Sequence, residues 1–176
     1  PQGSVLGPLL FLLYINDLHI CIKFFTARHF ADDTNLLLKN SALKQMKKRI
    51  NIDLALLSSW LRANKISLNV SKTEILIFHH PNKPITMTYV KKLDGKRIYP
   101  SNYVKYLGLL IDSHVNWSYH TKSLASKLTR ATGMLAKVRH FVDSDTLRNI
   151  YYGISLSVLT YGSQIWGQHQ NSHIAV

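Results

Sequence analysis

Two of the nine carboxylates in this chain, Asp32 and Asp33, stand side by side. Apolar residues precede them (Ile22, Phe24, Phe25, Phe30) and Leu36-Leu37-Leu38 follows. Adjacent carboxylates repel one another unless a cation or bulk water compensates them. A hard cation such as Mg²⁺ takes carboxylate oxygens and keeps waters and substrate phosphates as its other ligands. Held rigidly at the tip of a strand–turn–strand unit, such a pair suits two-metal phosphoryl transfer. Asp-Asp is equally ordinary turn chemistry, fully solvated, so the pair alone leaves both readings open.

The elements around the pair can be read from apolar spacing. Residues from Cys21 to Lys39 read as two strands about the polar Asp32-Asp33-Thr34-Asn35 step, a β-hairpin. Ahead of it, Ser4 to about Leu18 reads as a short helix with Ser4 as its cap and Pro8 in its first turn. Leu9 to Leu13 is apolar on all sides, so this helix is expected to be buried between other elements. Behind the hairpin, Met46, Ile50, Leu54, Leu57 and Leu61 draw one stripe along a helix from Leu43 to Asn64. Lys44, Lys47, Lys48 and Arg49 crowd its first half.

Asn69 to Thr73 is a polar turn into Ile75-Leu76-Ile77-Phe78, a buried strand. Ile85–Lys92 and Lys96–Tyr99 flank Asp94-Gly95, a hairpin signal. Tyr103 to Ile111 is a further strand pattern in which Gly108 marks a bulge or a close backbone approach. Beyond Asp112 the pattern is helical only. Leu124, Leu128, Ala131, Leu135 and Val138 form one stripe. Asp143-Ser144-Asp145 starts a second helix carrying Leu147, Tyr151, Ile154, Val158 and Tyr161, and Gly162 ends it. The fold class is therefore α+β, a mixed part to residue 112 and a helical part over 113–176.

Charge points to the partner. Lys and Arg number 22 against 9 acidic residues, a formal charge of +13, which a polyanionic partner explains most simply. Lys122, Lys127, Arg130, Lys137 and Arg139 fall in a stretch, Ser113 to Val142, without a carboxylate. A merely solvated face normally mixes both signs; a nucleic-acid backbone is the better match. One cysteine, Cys21, excludes an internal disulfide and a thiolate zinc cluster. His169 and His173 are four apart but lack the Glu of a helical zinc motif. Leu9–Ile15 is too short to span a bilayer, so no membrane partner is expected. The start at Pro1-Gln2-Gly3 shows no signal peptide, and further chain is expected upstream.

Five stretches, taken in order, carry a family resemblance. Phe30-Ala31-Asp32-Asp33 resembles the F/Y-x-D-D motif of reverse transcriptases. Pro1-Gln2-Gly3-Ser4-Val5-Leu6-Gly7-Pro8-Leu9-Leu10-Phe11 resembles the stretch that precedes it there. Asn64-Lys65-Ile66-Ser67-Leu68-Asn69, then Lys72-Thr73 and a strand ending at Phe78, match the following palm motif. Tyr103-Val104-Lys105-Tyr106-Leu107-Gly108 with Ile111-Asp112 resembles the primer-grip hairpin. Tyr161-Gly162 with Trp166-Gly167 is similar to the thumb of LINE-type, non-LTR retrotransposon enzymes, rather than to the group II intron type. Weak motifs multiply when their order and contexts agree.

The resemblance implies a right-hand polymerase palm over residues 1–112, an antiparallel sheet with packed helices, followed by a helical thumb over 113–176. It implies extension of a DNA primer 3′-hydroxyl by dNTPs on an RNA template, with two Mg²⁺ (or Mn²⁺) ions. Asp32 and Asp33 would hold metal, and Lys72 would contact the triphosphate or protonate the leaving group. Its other reading is a solvated turn lysine. Gln2 and Gly3 would lie beside the incoming nucleotide and template, and Phe30 near the primer end. Glycine there could equally be loop flexibility, and the aromatic ordinary core. Tyr106, Leu107 and Gly108, within a primer-grip hairpin spanning about 85–112, would hold the primer. Lys105, Lys122, Lys127, Arg130 and Lys137 would follow the nucleic-acid backbone. A further Asp upstream of Gln2, a fingers region and an endonuclease domain belong to such enzymes, so this stretch by itself is expected to be inactive. Localisation stays open within the cell; the nucleus would be implied by family analogy alone. A rival expectation is a degenerate retroelement product that only binds nucleic acid through the basic helices.

Overall fold

The structure is a computed structural model that describes residues 4–83, 85, 92–93 and 96–168. In chain order the elements are α1 (Gly7–Ile15), α2 (Leu18–Cys21), β1 (Thr26–Phe30), β2 (Asp33–Leu37), α3 (Leu43–Ala63), β3 (Ile75–Leu76), β4 (Lys92–Leu93), β5 (Lys96–Arg97), β6 (Pro100–Ser101), β7 (Tyr103–Tyr106), β8 (Leu109–Asp112), α4 (Ser118–Val138), α5 (Ser144–Tyr151), α6 (Ser157–Thr160) and α7 (Ser163–Trp166). Helices with small antiparallel ladders make it an α+β protein. It divides into two compact units, Pro1–Glu74 with Met87–Pro100, and Ile75–Thr86 with Ser101–Val176.

The first unit is organised by α3. The expected stripe holds, with Leu54, Leu57 and Leu61 buried together with Ile15, Leu18 and Ile22. Asp53 lies in the same buried strip of α3 and is fully enclosed. The Tyr14 hydroxyl donates to the carbonyl of Asn64 and ties the end of α1 to the end of α3. β1 and β2 pair antiparallel, with Phe30 opposite Asp33 and Thr26 opposite Leu37. The turn is therefore Ala31-Asp32, tighter than the four-residue polar step the sequence suggests. β4 and β5 pair as Lys92↔Arg97 and Leu93↔Lys96. The expected Asp94-Gly95 turn lies outside the described residues, as does most of Ile85–Lys92.

Some expectations for the first 80 residues are corrected. Ser4 does not cap α1; its hydroxyl oxygen accepts the Leu6 N–H, and the helix begins at Gly7 with Pro8 in its first turn. Nor is α1 buried: Leu9, Leu10, Leu12 and Leu13 are all exposed and only Ile15 is enclosed. Its apolar circumference has no covering element among the described residues. Ile75–Phe78 forms only a two-residue strand, half-buried, and Phe78 is exposed.

The second unit builds its core where β8 meets the helices. Leu109, Trp117, Leu124 and Trp166 are buried together, with Ile111, Leu128, Val158 and Leu159 packed against them. β7 and β8 form a hairpin of their own, Tyr103↔Asp112 to Tyr106↔Leu109, so Gly108 is a turn residue and not a bulge. Asp112 is buried and accepts the N–H groups of His114, Asn116 and Trp117 at 3.0, 3.1 and 2.8 Å, which shapes the entry to α4. Asp143 caps α5 as expected, accepting from the N–H groups of Asp145 and Thr146. A π turn over Tyr152–Leu156 follows. The extra residue of such a turn shifts the helical phase by about 100°. The predicted stripe does not hold through it: Tyr151, just before the turn, and Ile154 within it are exposed, and Ser155 is buried.

Candidate active site and nucleic-acid interface

The acidic pair sits where strand pairing leaves two residues to reverse the chain. With Phe30 opposite Asp33, Ala31 and Asp32 form a two-residue turn. Such turns match the twist of the strands only when the first residue is left-handed, and Ala31 has φ 51°. An alanine there is strained by about 1–2 kcal/mol. Asp33 opens β2 directly after the turn, opposite Phe30, which is itself exposed. Both carboxylates are exposed, and among the described residues neither accepts a hydrogen bond or joins an ion pair. They are acceptor-only groups with every lone pair available, the donor set a hard cation uses.

What steadies the hairpin lies at its other end. Asp53 on α3 accepts the N–H groups of Lys23, Phe24 and Phe25 at 3.0, 2.7 and 2.7 Å. Three consecutive amides on one enclosed carboxylate fix the segment that becomes β1 one residue later. The Arg49 guanidinium stands 5.1 Å from the centre of the Phe24 ring and closes the outer side of that joint. The sequence reading missed Asp53; its signal was a carboxylate embedded in the apolar strip of a helix.

The other candidates in this unit are placed separately. Lys72 ends a single 3₁₀ turn, Val70–Lys72, and is exposed. No hydrogen bond or ion pair joins it to Asp32 or Asp33. Thr73 donates its hydroxyl proton to the Asn69 carbonyl at 3.0 Å, so it shapes the turn. Gln2 and Gly3 lie outside the described residues. A shallow groove along α3, lined by Lys44, Lys47, Lys48, Asn51 and Ser59, does not include the acidic pair. The thiol of Cys21 donates to the Leu18 carbonyl. Burial pushes its pKa up, with the Asp17 and Asp53 carboxylates adding to the shift, which disfavours the thiolate.

In the second unit the Leu107-Gly108 turn has both residues left-handed, φ 45° and 84°, the signature of a type I′ hairpin. Lys105 is exposed beside it, and Tyr106 and Leu107 are half-buried. On α4 the stripe of Leu124 and Ala131 faces the core, whereas Lys122, Lys127, Arg130 and Lys137 are exposed. At 100° per residue those four cations fall within about 140° of the helix circumference; Lys122, Arg130 and Lys137 lie away from the buried stripe and Lys127 borders it. His120 is buried between the rings of Trp117 and Trp166, at 6.1 and 5.4 Å, and its Nδ1 accepts the Leu110 N–H at 3.4 Å. Burial lowers its pKa, and Lys127 lowers it further. His169 and His173 lie outside the described residues. Among the described residues no group of three or more His, Cys, Asp or Glu side chains could hold a metal ion, and no helix is long and apolar enough to cross a membrane.

Comparison with known proteins supplies the context for these features. The chain is 29% identical to a probable RNA-directed DNA polymerase from transposon X-element of Drosophila melanogaster, covering 99% of this chain and 20% of that protein. It is 26% identical to the RNA-directed DNA polymerase from mobile element jockey of the same fly, again over 99% of this chain and 20% of the relative. A retrovirus-related Pol polyprotein from type-1 retrotransposable element R1 of Bradysia coprophila is 27% identical over 94% of this chain and 17% of its own length. The chain thus spans about a fifth of the length of the curated relatives it matches. No solved structure matches. The family model for reverse transcriptase (RNA-dependent DNA polymerase) matches residues 1–111, from the first of the sequence motifs to the end of the β7–β8 hairpin, and the chain belongs to that family.

Proposed function

We propose that the chain supplies the palm carboxylates and the thumb of an RNA-directed DNA polymerase of a retrotransposon. One observation carries the proposal: Asp32, in a two-residue hairpin turn, and Asp33, the first residue of the strand after it, are exposed, unpartnered carboxylates in a chain of this family. Their donor type fits Mg²⁺ or Mn²⁺. Two carboxylates leave room for waters, substrate phosphates and a further protein ligand. A bound divalent ion would supply Lewis-acid stabilisation of charge on the triphosphate and on the attacking primer hydroxyl.

The remaining work falls to this chain's own side chains. Palm residues lie within 1–112 and the helical thumb within 113–176. The strained Ala31 turn presents both carboxylates outward, and Asp53 keeps the hairpin from swinging. Phe30, exposed opposite Asp33, offers a flat ring to the base at the primer end. Lys72 offers a proton or a positive charge to the pyrophosphate leaving group from its exposed turn. Gln2 and Gly3 would line the incoming nucleotide and template. Tyr106, Leu107 and Gly108 hold the primer strand, with Lys105 on its phosphates. Lys122, Lys127, Arg130 and Lys137 track the backbone of the RNA–DNA duplex. RNA template, DNA primer and dNTPs are thus the partners.

Mg²⁺-dependent primer extension by a protein of the relatives' full length that carries this chain tests the proposal. Extension that Asp32→Ala abolishes supports it. Duplex binding with no extension from the unaltered protein would leave only a nucleic-acid-binding role.

A further inference from the structure

Tyr161 is separated from the Leu107-Gly108 turn by more than fifty residues, yet the two make one joint. The Tyr161 hydroxyl donates to the Leu107 carbonyl at 2.6 Å. Its ring lies over Gly108, where an added Cβ would stand 3.1 Å from Cε1. The next residue, Gly162, is left-handed with φ 65°, and a Cβ on it would stand 3.0 Å from the Leu109 side chain. The Tyr161 carbonyl in turn accepts the Trp166 indole N–H at 3.0 Å, and Trp166 is buried against Leu109. The tyrosine is therefore fixed from behind by the core and reaches forward onto the turn.

Burial is not what holds Tyr161 in place, since 56% of its surface is exposed. Nor does Leu107 favour its own conformation, because a β-carbon at φ 45° is strained. We infer that Tyr161 is a positioning residue: its hydroxyl and ring hold Leu107 and Gly108 in the left-handed pair that presents this turn to a primer strand. The inference rests on the reading of the turn as the primer-holding element. It assigns a role to the Tyr161-Gly162 and Trp166 positions, which otherwise stand only as a motif.

Hydrogen exchange at the Leu109 amide, which pairs with Tyr106 across the turn, tests the joint directly in this chain. Tyr161→Phe keeps the ring and removes only the donor, so the fold is retained; Tyr161→Ala removes both. Exchange at this amide is expected to accelerate by about fivefold in Tyr161→Phe, the loss of one hydrogen bond holding the turn, and more in Tyr161→Ala, with α4 amides unchanged. In a protein of the relatives' full length, Tyr161→Phe is expected to raise KM for primer–template by a similar factor and leave KM for dNTP unchanged. Unchanged exchange at Leu109 in Tyr161→Phe overturns the inference, whatever the polymerase does. Faster exchange with an unchanged primer–template KM upholds the joint and removes instead the primer-holding reading of the turn.

Discussion

The buried carboxylate of Asp53 accepts the backbone N–H of Phe24 at 2.7 Å, so the helix behind the acidic hairpin grips the strand that leads to it. The same oxygen takes the Phe25 N–H at 2.7 Å, and the other takes Lys23 at 3.0 Å. Asp53→Ala would leave three part-buried backbone N–H groups without their acceptor and is expected to cost about 1–3 kcal/mol. Asp53→Asn, which keeps one acceptor, is expected to cost less. Denaturant unfolding of the chain measures both; an Asp53→Ala midpoint equal to that of the unaltered protein would show that the grip is dispensable.

Ala31 supplies a prediction of opposite sign. Its φ of 51° suits glycine, so Ala31→Gly is expected to stabilise by about 0.5–1 kcal/mol after the entropy of the unfolded glycine is subtracted. Ala31→Val, with a branched Cβ in the same conformation, is expected to destabilise. Thermal melts of the two variants should move in opposite directions. A lower melting temperature for Ala31→Gly would mean that the turn is not left-handed at this position.

His120 makes the second unit sensitive to pH. Its Nδ1 accepts from Leu110 only while the ring is neutral, and burial with Lys127 nearby holds its pKa below the usual 6.5. The folded state therefore binds the proton more weakly than the unfolded chain. Its contribution is complete above pH 6.5 and is lost as pH falls from there through the lowered folded value. Asp143 acts in a lower window. Thr146 and Asp145 hold its pKa below 3.8 by hydrogen bonding, so that helix cap weakens only as pH falls below 3.8. Unfolding of the chain between pH 7 and 5 should show a decline that His120→Gln removes.

The basic arc of α4 is expected to bind RNA–DNA duplex with a steep dependence on salt. Removing Lys127 and Arg130 together should lower the slope of log affinity against log salt by about 0.9 for each phosphate that is no longer neutralised. Affinity that stays flat from low to physiological salt would rule out backbone tracking by this helix.

Much of this was legible in the sequence, for identifiable reasons. The α3 stripe and the Asp143 cap are local signals, and both survive because one element decides them. The acidic hairpin was legible as a hairpin, but Ala31 carries none of the glycine or asparagine that marks a primed turn, so its tip fell one step away. Asp53 escaped notice, and Asp112 was visible only as part of a motif, because their partners are backbone amides, which leave no trace in residue types. Tyr161 was visible as a motif, but its reach to Leu107 is a long-range contact that periodicity cannot express. The exposed α1 marks the opposite limit: its composition demands a cover, and composition cannot say where that cover comes from.

The pair at the hairpin tip stands on one measurement above the rest, single-turnover primer extension in Mg²⁺ by a protein of the relatives' full length that carries this chain. Asp32→Ala and Asp33→Ala are each expected to slow extension by about a thousandfold, the several kcal/mol that a metal ligand contributes to the transition state. Duplex affinity should stay equal or tighten, because each variant removes a negative charge. Extension at full rate by either variant, with the unaltered protein active beside it, contradicts the assignment of Asp32 and Asp33 as metal-holding carboxylates.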